Sequence, residues 1–413
     1  MTRVVLLPSA YLPALGGVEE LTRHLALALV AAGDDVEVWT GHASDTGPAE
    51  VETRDGIVVR RFPLPLPAAT TGAVTRFALG APRTFRMLRR AVDEFRPDVL
   101  HVQCFGPNGV YAMALAGMLH IPLVVTLQGE TVMDDADIFD TSRIMQLSLR
   151  WALRHAAAVT GCSRFTLADA ETRFGLRPGQ GRVVWNGVDL AATGDGGGDP
   201  DAGWTPPSDR PYILALGRVV EKKGFDLLLA AYAAMPEEQR QADLVIGGSG
   251  GALGPLRQRA GQLGVAGQVH FPGRLSRDQV AAAMAGAALF VMPSRVEPFG
   301  IVVLEAWRAG VAVVATTHGG PPELIRSGED GVLVDPFDTG AFASALGTLL
   351  ADTARRSAIA AAGQRRVAEL AWPRIAEQYR QVHADAVAAA GRAPRPGLRR
   401  SGSGPPGPRG TRS

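Results

Sequence analysis

Two glutamates eight residues apart, Glu297 and Glu305, flank the turn Pro298-Phe299-Gly300 and a helix-spaced run that opens at Ile301. A buried carboxylate needs hydrogen-bond donors, and a vicinal diol supplies two. Gly300 lets backbone approach a ligand closely, and a helix start presents unpaired N–H groups at a positive dipole end. The stretch suits a diphosphate with hydroxyl-rich groups on either side. A second loop, Gly217-Arg218-Val-Val-Glu-Lys222-Lys223-Gly224, joins a strand to a helix. Arg218 and Lys223 stand five apart across its turn, so a planar fork and a point charge can converge on one anion. Gly16-Gly17, before the first helix, would allow a phosphate to come near. Each motif also has a bland reading: a solvated loop, a loop acid paired with arginine, a glycine turn that binds nothing.

These residues need a scaffold. At 413 residues the chain has room for two or three units with a substantial core. A net charge of +1 gives no global field for nucleic acid. The two cysteines, Cys104 and Cys162, sit in apolar surroundings, which fits a reducing cytoplasm and gives no disulfide framework. The apolar run after Met1-Thr2-Arg3 is too short for a signal peptide, and no stretch reads as a membrane span. Of 42 basic residues only Lys222 and Lys223 are lysine.

Short apolar runs alternate with helix-periodic segments along the chain. Arg3–Pro8, Val36–Thr40, Ile57–Phe62, Asp98–Gln103, Pro122–Leu127 and Ala157–Gly161 read as strands of a parallel, doubly wound sheet. The pattern restarts at Tyr212–Leu216 and continues through Leu244–Ile246, Val269–Phe271, Leu289–Met292, Val311–Ala315 and Gly331–Val334. This divides the chain into an N-terminal domain over 1–192, a linker over 193–209 and a C-terminal domain over 210–372. A last helix over 373–390 returns to the first half, and an Arg/Gly/Pro tail over 391–413 is expected to be disordered. A basic helix carries Arg76 to Arg90 among Phe77, Phe85 and Leu88. It or the tail is a candidate for peripheral contact with an anionic membrane, against the alternative of a solvated helix.

Two motifs resemble sites without completing one. Asp135-Ala-Asp137 has metal-ligand spacing but lies in an acidic loop that reads as solvated. Gly248-Ser-Gly250 follows a strand, yet Leu253 stands where a dinucleotide fingerprint needs its third glycine. The histidines show no zinc spacing.

Taken together, Gly16-Gly17-Val18-Glu19, Asn186-Gly-Val-Asp189, Gly217-Arg218 with Lys223-Gly224, Gly248-Ser-Gly250, Phe271-Pro-Gly273, Glu297 through Glu305 and Gly319-Gly-Pro-Pro-Glu323 resemble retaining glycosyltransferases of family 4. The resemblance implies the GT-B fold, two Rossmann-like domains facing across a cleft. It implies hexosyl transfer from a UDP- or GDP-sugar, with neither metal nor cofactor. The acceptor would be a sugar, a lipid-linked molecule or a small molecule held mainly by the N-terminal domain. By that resemblance Arg218 and Lys223 hold the diphosphate, Glu305 the ribose hydroxyls and Glu297 the donor sugar. N–H groups of Phe299, Gly300 and Ile301 lie near sugar and phosphate, backbone at Arg274 meets the base, and Gly16 and Gly17 face the phosphate. The chain departs from the family where Gln128 replaces a frequent histidine; an amide bonds a hydroxyl but carries no proton. An epimerase or phosphorylase of the same architecture is the alternative.

Overall fold

A computed structural model describes residues 1–13, 16–42, 47–66, 71–134, 137–190 and 203–392, with only the backbone at 71–76, 78, 79 and 392. Asp135, most of the 193–209 linker, the tail from 393 and the Arg76 side chain lie outside what is described.

Among the described residues fourteen strands form two sheets. They are β1 Arg3–Pro8, β2 Asp35–Gly41, β3 Glu50–Arg54, β4 Ile57–Phe62, β5 Val99–Gln103, β6 Leu123–Leu127, β7 Ala158–Gly161, β8 Gly181–Val183, β9 Tyr212–Leu216, β10 Asp243–Gly247, β11 Val269–Gly273, β12 Leu289–Met292, β13 Val313–Thr316 and β14 Val332–Val334. The first sheet runs β3-β4-β2-β1-β5-β6-β7-β8 and the second β11-β10-β9-β12-β13-β14. Central strands are apolar on both faces, as helix-covered parallel strands must be: Val4, Val5 and Leu6 are fully buried, and so are Ile213, Leu214 and Ala215.

One strand departs from the parallel reading. β3 pairs antiparallel with β4, Glu50 opposite Arg61 and Arg54 opposite Ile57. Its sequence, Glu-Val-Glu-Thr-Arg, has no apolar face; it caps the edge with charge, Glu52 accepting from Arg61 at 2.8 Å. Two helices the sequence reading passed over, Arg164–Phe174 and Leu253–Gln262, complete the helical layers.

Both sheets reverse winding direction at their centres, between β1 and β5 and between β9 and β12. Loops that follow strands at such a point diverge and leave a crevice. The motifs at 9–17, 217–224 and 293–300 all follow these strands. The final helix, Trp372–Arg392, crosses to the first domain, where Tyr379, Val382 and Ala386 pack with Leu21, Leu25 and Val4.

Candidate active site

The cationic loop after β9 is tied to the turn after β12. Arg295 N–H donates to the Lys222 carbonyl at 3.0 Å. Gly224 has φ 66°, and a Cβ there would stand 2.0 Å from the Pro293 carbonyl oxygen, so only glycine permits this approach. The tie brings Lys223 to Glu297: its ammonium donates to Oε2 at 2.7 Å, and Ser294 Oγ donates to the same oxygen at 3.0 Å. Gly320 N–H bonds the Glu297 carbonyl at 2.8 Å, fixing its backbone as well. Glu297 is buried, so the pair lies in a low-dielectric wall where one charge matters to the other.

Gly300, at φ 98°, stands at the N-terminus of the helix Ile301–Arg308, and Gly310, at φ 70°, follows its end. Phe299 buries its ring in the core, leaving backbone N–H groups as what this segment can offer a ligand. Glu305 lies one turn on, between buried Leu304 and Ala306. Burial pushes its carboxyl above the ordinary range, and the Arg308 charge offsets this only in part. Among the described residues its carboxylate has no hydrogen-bond or ion-pair partner. Half-buried and bonded by no protein group, this acid has acceptor capacity left for an incoming donor.

The other domain closes on this wall. Ile301 Cδ1 lies 3.7 Å from where a Gly17 Cβ would stand, so two helix N-termini face each other. Gly16, the cap residue, is overlaid by the Glu19 carboxylate. A Cβ on Gly129, at φ 93°, would meet Pro298 at 2.1 Å. Ser163 Oγ donates to the Pro298 carbonyl at 2.6 Å. Glu323 accepts from the N–H groups of Arg164 and Phe165 at 2.8 and 3.0 Å, capping a helix of the opposite domain. Lys222 donates to the Asp134 carbonyl at 2.7 Å and to Asp137 Oδ1 at 2.9 Å. Asp137, read as part of a solvated acidic loop, is thus an interdomain contact.

Not every candidate converges. Arg218 donates to the Met133 carbonyl at 3.2 Å across the cleft and does not share Lys223's partner. Arg274 is exposed after the edge strand β11, at the far end of the same row of loops. Gln128 is already engaged: its amide donates to Gln103 at 3.1 Å and accepts from Asn186 at 3.0 Å. Gly248-Ser-Gly250 has a packing role, since a Cβ at 248 would meet the Gly217 carbonyl at 1.8 Å and Ser249 accepts from Val219 N–H at 2.9 Å.

Two features escaped the sequence reading. Glu130 accepts from Phe105 N–H at 2.6 Å and Gln128 N–H at 2.7 Å, clamping the loop after β5 to the loop after β6. Burial raises its carboxyl while the backbone donors pull it back. Beneath lies a buried polar chain. His383 of the last helix bonds His101 at 3.0 Å, and His101 bonds Thr126 at 2.7 Å and Gln103 at 3.1 Å. Burial holds both imidazoles below their usual range, His383 at about 4. Among the described residues no cluster of metal-ligating side chains occurs.

Comparison with known proteins points to one enzyme type. The family model described as Glycosyltransferase Family 4 covers residues 15–192, and that described as Glycosyl transferases group 1 covers residues 201–366. The chain is 28% identical over 396 residues to a glycogen synthase of Mycobacterium tuberculosis, 92% of this chain and 94% of that one. It is 39% identical over 163 residues to the GDP-mannose-dependent alpha-(1-6)-phosphatidylinositol monomannoside mannosyltransferase of Mycolicibacterium smegmatis, 38% of this chain and 43% of that one. In fold it superposes on the sucrose-phosphate synthase of Thermosynechococcus elongatus with a TM-score of 0.75 at 23% identity, covering 94% of this chain and 100% of that one. HepE of Anabaena in complex with UDP and glucose gives 0.71 at 21% identity, covering 93% and 100%. These neighbours share the GT-B arrangement of two α/β domains across a cleft. The two family models follow one another along the chain as the two sheets do, and the protein belongs to the glycosyltransferases of the group 1 / family 4 type.

Proposed function

We propose that the protein moves a hexosyl group from a UDP- or GDP-sugar to an acceptor hydroxyl with retention of configuration and without a metal ion. The observation that carries the reading is the partnerless Glu305 carboxylate one turn from a helix N-terminus whose other flank holds the Lys223–Glu297 pair. Glu305 accepts the ribose diol. Glu297, oriented by Lys223 and Ser294, meets donor-sugar hydroxyls, and the N–H groups of Phe299, Gly300 and Ile301 line sugar and phosphate. Arg218 leaves the Met133 carbonyl and joins Lys223 on the diphosphate, while Gly16 and Gly17 face it from the other domain. Backbone at Arg274 meets the base.

In this reading the bond between the anomeric carbon and the phosphate oxygen breaks as the acceptor oxygen bonds the same face. The acceptor proton passes to the departing phosphate oxygen. The protein's contribution is preorganised charge; removing one such donor costs about 10²–10³ in rate. Gln128, locked between Gln103 and Asn186, shapes the acceptor side and carries no proton. A relative that makes glycogen and another that builds a phosphatidylinositol mannoside support a polysaccharide or glycolipid acceptor.

NMR of the product formed from donor and acceptor tests the reading. Retained configuration and turnover unchanged by EDTA are expected. An inverted product, or activity that EDTA abolishes and magnesium restores, would overturn it.

A further inference from the structure

The N-terminal domain carries a surface that the cleft does not use. The helix Arg143–His155 buries Met145, Leu149, Ala152 and Leu153 against the sheet. On its outer side Ile144, Leu147 and Trp151 are 40%, 63% and 42% exposed. At about 100° per residue these three fall within about 60° of one another, one stripe along the helix. Trp151 reaches the neighbouring helix Pro107–Leu119, its ring 3.8 Å from where a Gly117 Cβ would stand, beside Met118, which is 56% exposed. Arg143, Arg150 and Arg154 form a row along one flank of the stripe, all exposed, and the helix contains no acid. Beyond Pro107–Leu119, the helix Thr71–Phe95 exposes Arg83, Arg86, Arg89 and Arg90. Of its two acids, Glu94 is already bonded by Arg60 and Arg90, which leaves the exposed Asp93 against four arginines.

Single exposed apolar side chains need no explanation, but four large ones on adjacent helices beside a guanidinium row do. We propose that this face seats the protein on an anionic lipid surface. Ile144, Leu147, Trp151 and Met118 enter the interfacial layer, and the arginines meet lipid phosphates. Tryptophan suits that depth, with an apolar ring and one polar N–H. The charge pattern disfavours a second copy as occupant: a two-fold contact through this patch would bring its arginine row into the neighbourhood of the partner's identical row. Among its described residues the basic helix read from the sequence supplies charge; the apolar stripe next to it supplies the insertion.

The test is independent of the donor reading, because binding needs no turnover. The full chain is co-sedimented with vesicles of phosphatidylcholine alone and of phosphatidylcholine mixed with phosphatidylglycerol, at low and high salt. Binding is expected only to the mixed vesicles and to fall with salt. Leu147→Glu/Trp151→Glu and Arg143→Glu/Arg154→Glu should each weaken it about tenfold or more, leaving transfer to a water-soluble acceptor unchanged. Wild-type-like binding by either variant, or equal salt-insensitive binding to both vesicles, would overturn the proposal. So would light scattering that shows a dimer dissociated by Leu147→Glu/Trp151→Glu, which puts a second copy on this face.

Discussion

Replacing Glu305 by glutamine should make the empty protein more stable and its hold on a nucleotide-sugar weaker. The carboxylate sits among the buried side chains of the Ile301–Arg308 helix, and among the described residues nothing bonds it. Holding a half-buried carboxylate without a protein donor costs part of its hydration, on the order of 1 kcal/mol. Glutamine has nearly the same shape and no charge, so about 1 kcal/mol of that is relieved, worth about 2–4 °C in Tm for a domain of this size. A ribose diol donating to a carboxylate gains about 1.5–3 kcal/mol per charged hydrogen bond. Glutamine keeps one accepting oxygen and presents an amide N–H in place of the other, so losing about one such bond should weaken donor affinity about 10- to 150-fold. The pH dependence has a definite sign. Burial raises this carboxyl, so the folded protein prefers the protonated form, and the destabilisation appears as pH rises through the raised value. The stability gain of Glu305→Gln should therefore be larger at neutral pH than in mild acid. Wild-type donor affinity should fall in acid, as protonation removes the acceptor. Thermal shift with and without UDP- and GDP-sugars, and calorimetry, measure both sides. A variant that melts lower than wild type without donor would show that the carboxylate has a protein partner, and unchanged affinity would remove the ribose role.

Acid should loosen the junction between the last helix and the first domain. His383 titrates at about 4 when folded against about 6.5 unfolded, so stability falls as pH drops across that window, by at most ~3 kcal/mol. His383→Gln should flatten the urea midpoint between neutral pH and pH of about 4.5 relative to wild type; an identical slope would exclude this histidine. Glu130→Gln puts an amide N–H against a backbone N–H and should lower kcat about tenfold or more, with nucleotide Kd unchanged by calorimetry. Equal losses in both would mean general unfolding and not a displaced loop. Glu323→Ala removes an acceptor for two backbone N–H groups across the cleft, worth about 1 kcal/mol. It should shift the domains apart, seen as a larger radius of gyration by X-ray scattering, while each domain keeps its helical content.

The parts of the site legible in the sequence were those made by neighbours in the chain. Glu297, Gly300 and Glu305 lie on one strand-turn-helix unit, so spacing alone places an acid on either side of a helix start. The same holds for the loop from Gly217 to Gly224. What spacing cannot give is where a long side chain ends. Lys223 reaches Glu297 because Gly224 lets its loop approach Pro293, whereas Arg218, five residues earlier, ends on Met133 of the other domain. Glu323 caps a helix that begins 159 residues earlier, a relation no local pattern records. Glu130 looks like any loop acid until burial and two N–H donors identify it. β3 was missed for a similar reason: Glu50–Arg54 draws its order from Arg61 and β4, not from an apolar alternation of its own.

The returning helix has a consequence for the order in which the molecule is made. Val4 and Leu6 of the first sheet, with Leu25 of the helix Gly17–Ala31, are buried partly beneath Trp372, Ile375, Tyr379 and Ala386. Those last residues leave the ribosome after the entire second sheet. At about 5–20 residues per second, the intervening ~200 residues take about 10–40 s. For that time the nascent first half holds an uncovered apolar face, and its final closure is a late, long-range event. Synthesis thus imposes on this chain a waiting state that refolding from denaturant does not, and the two routes should differ in their need for chaperones.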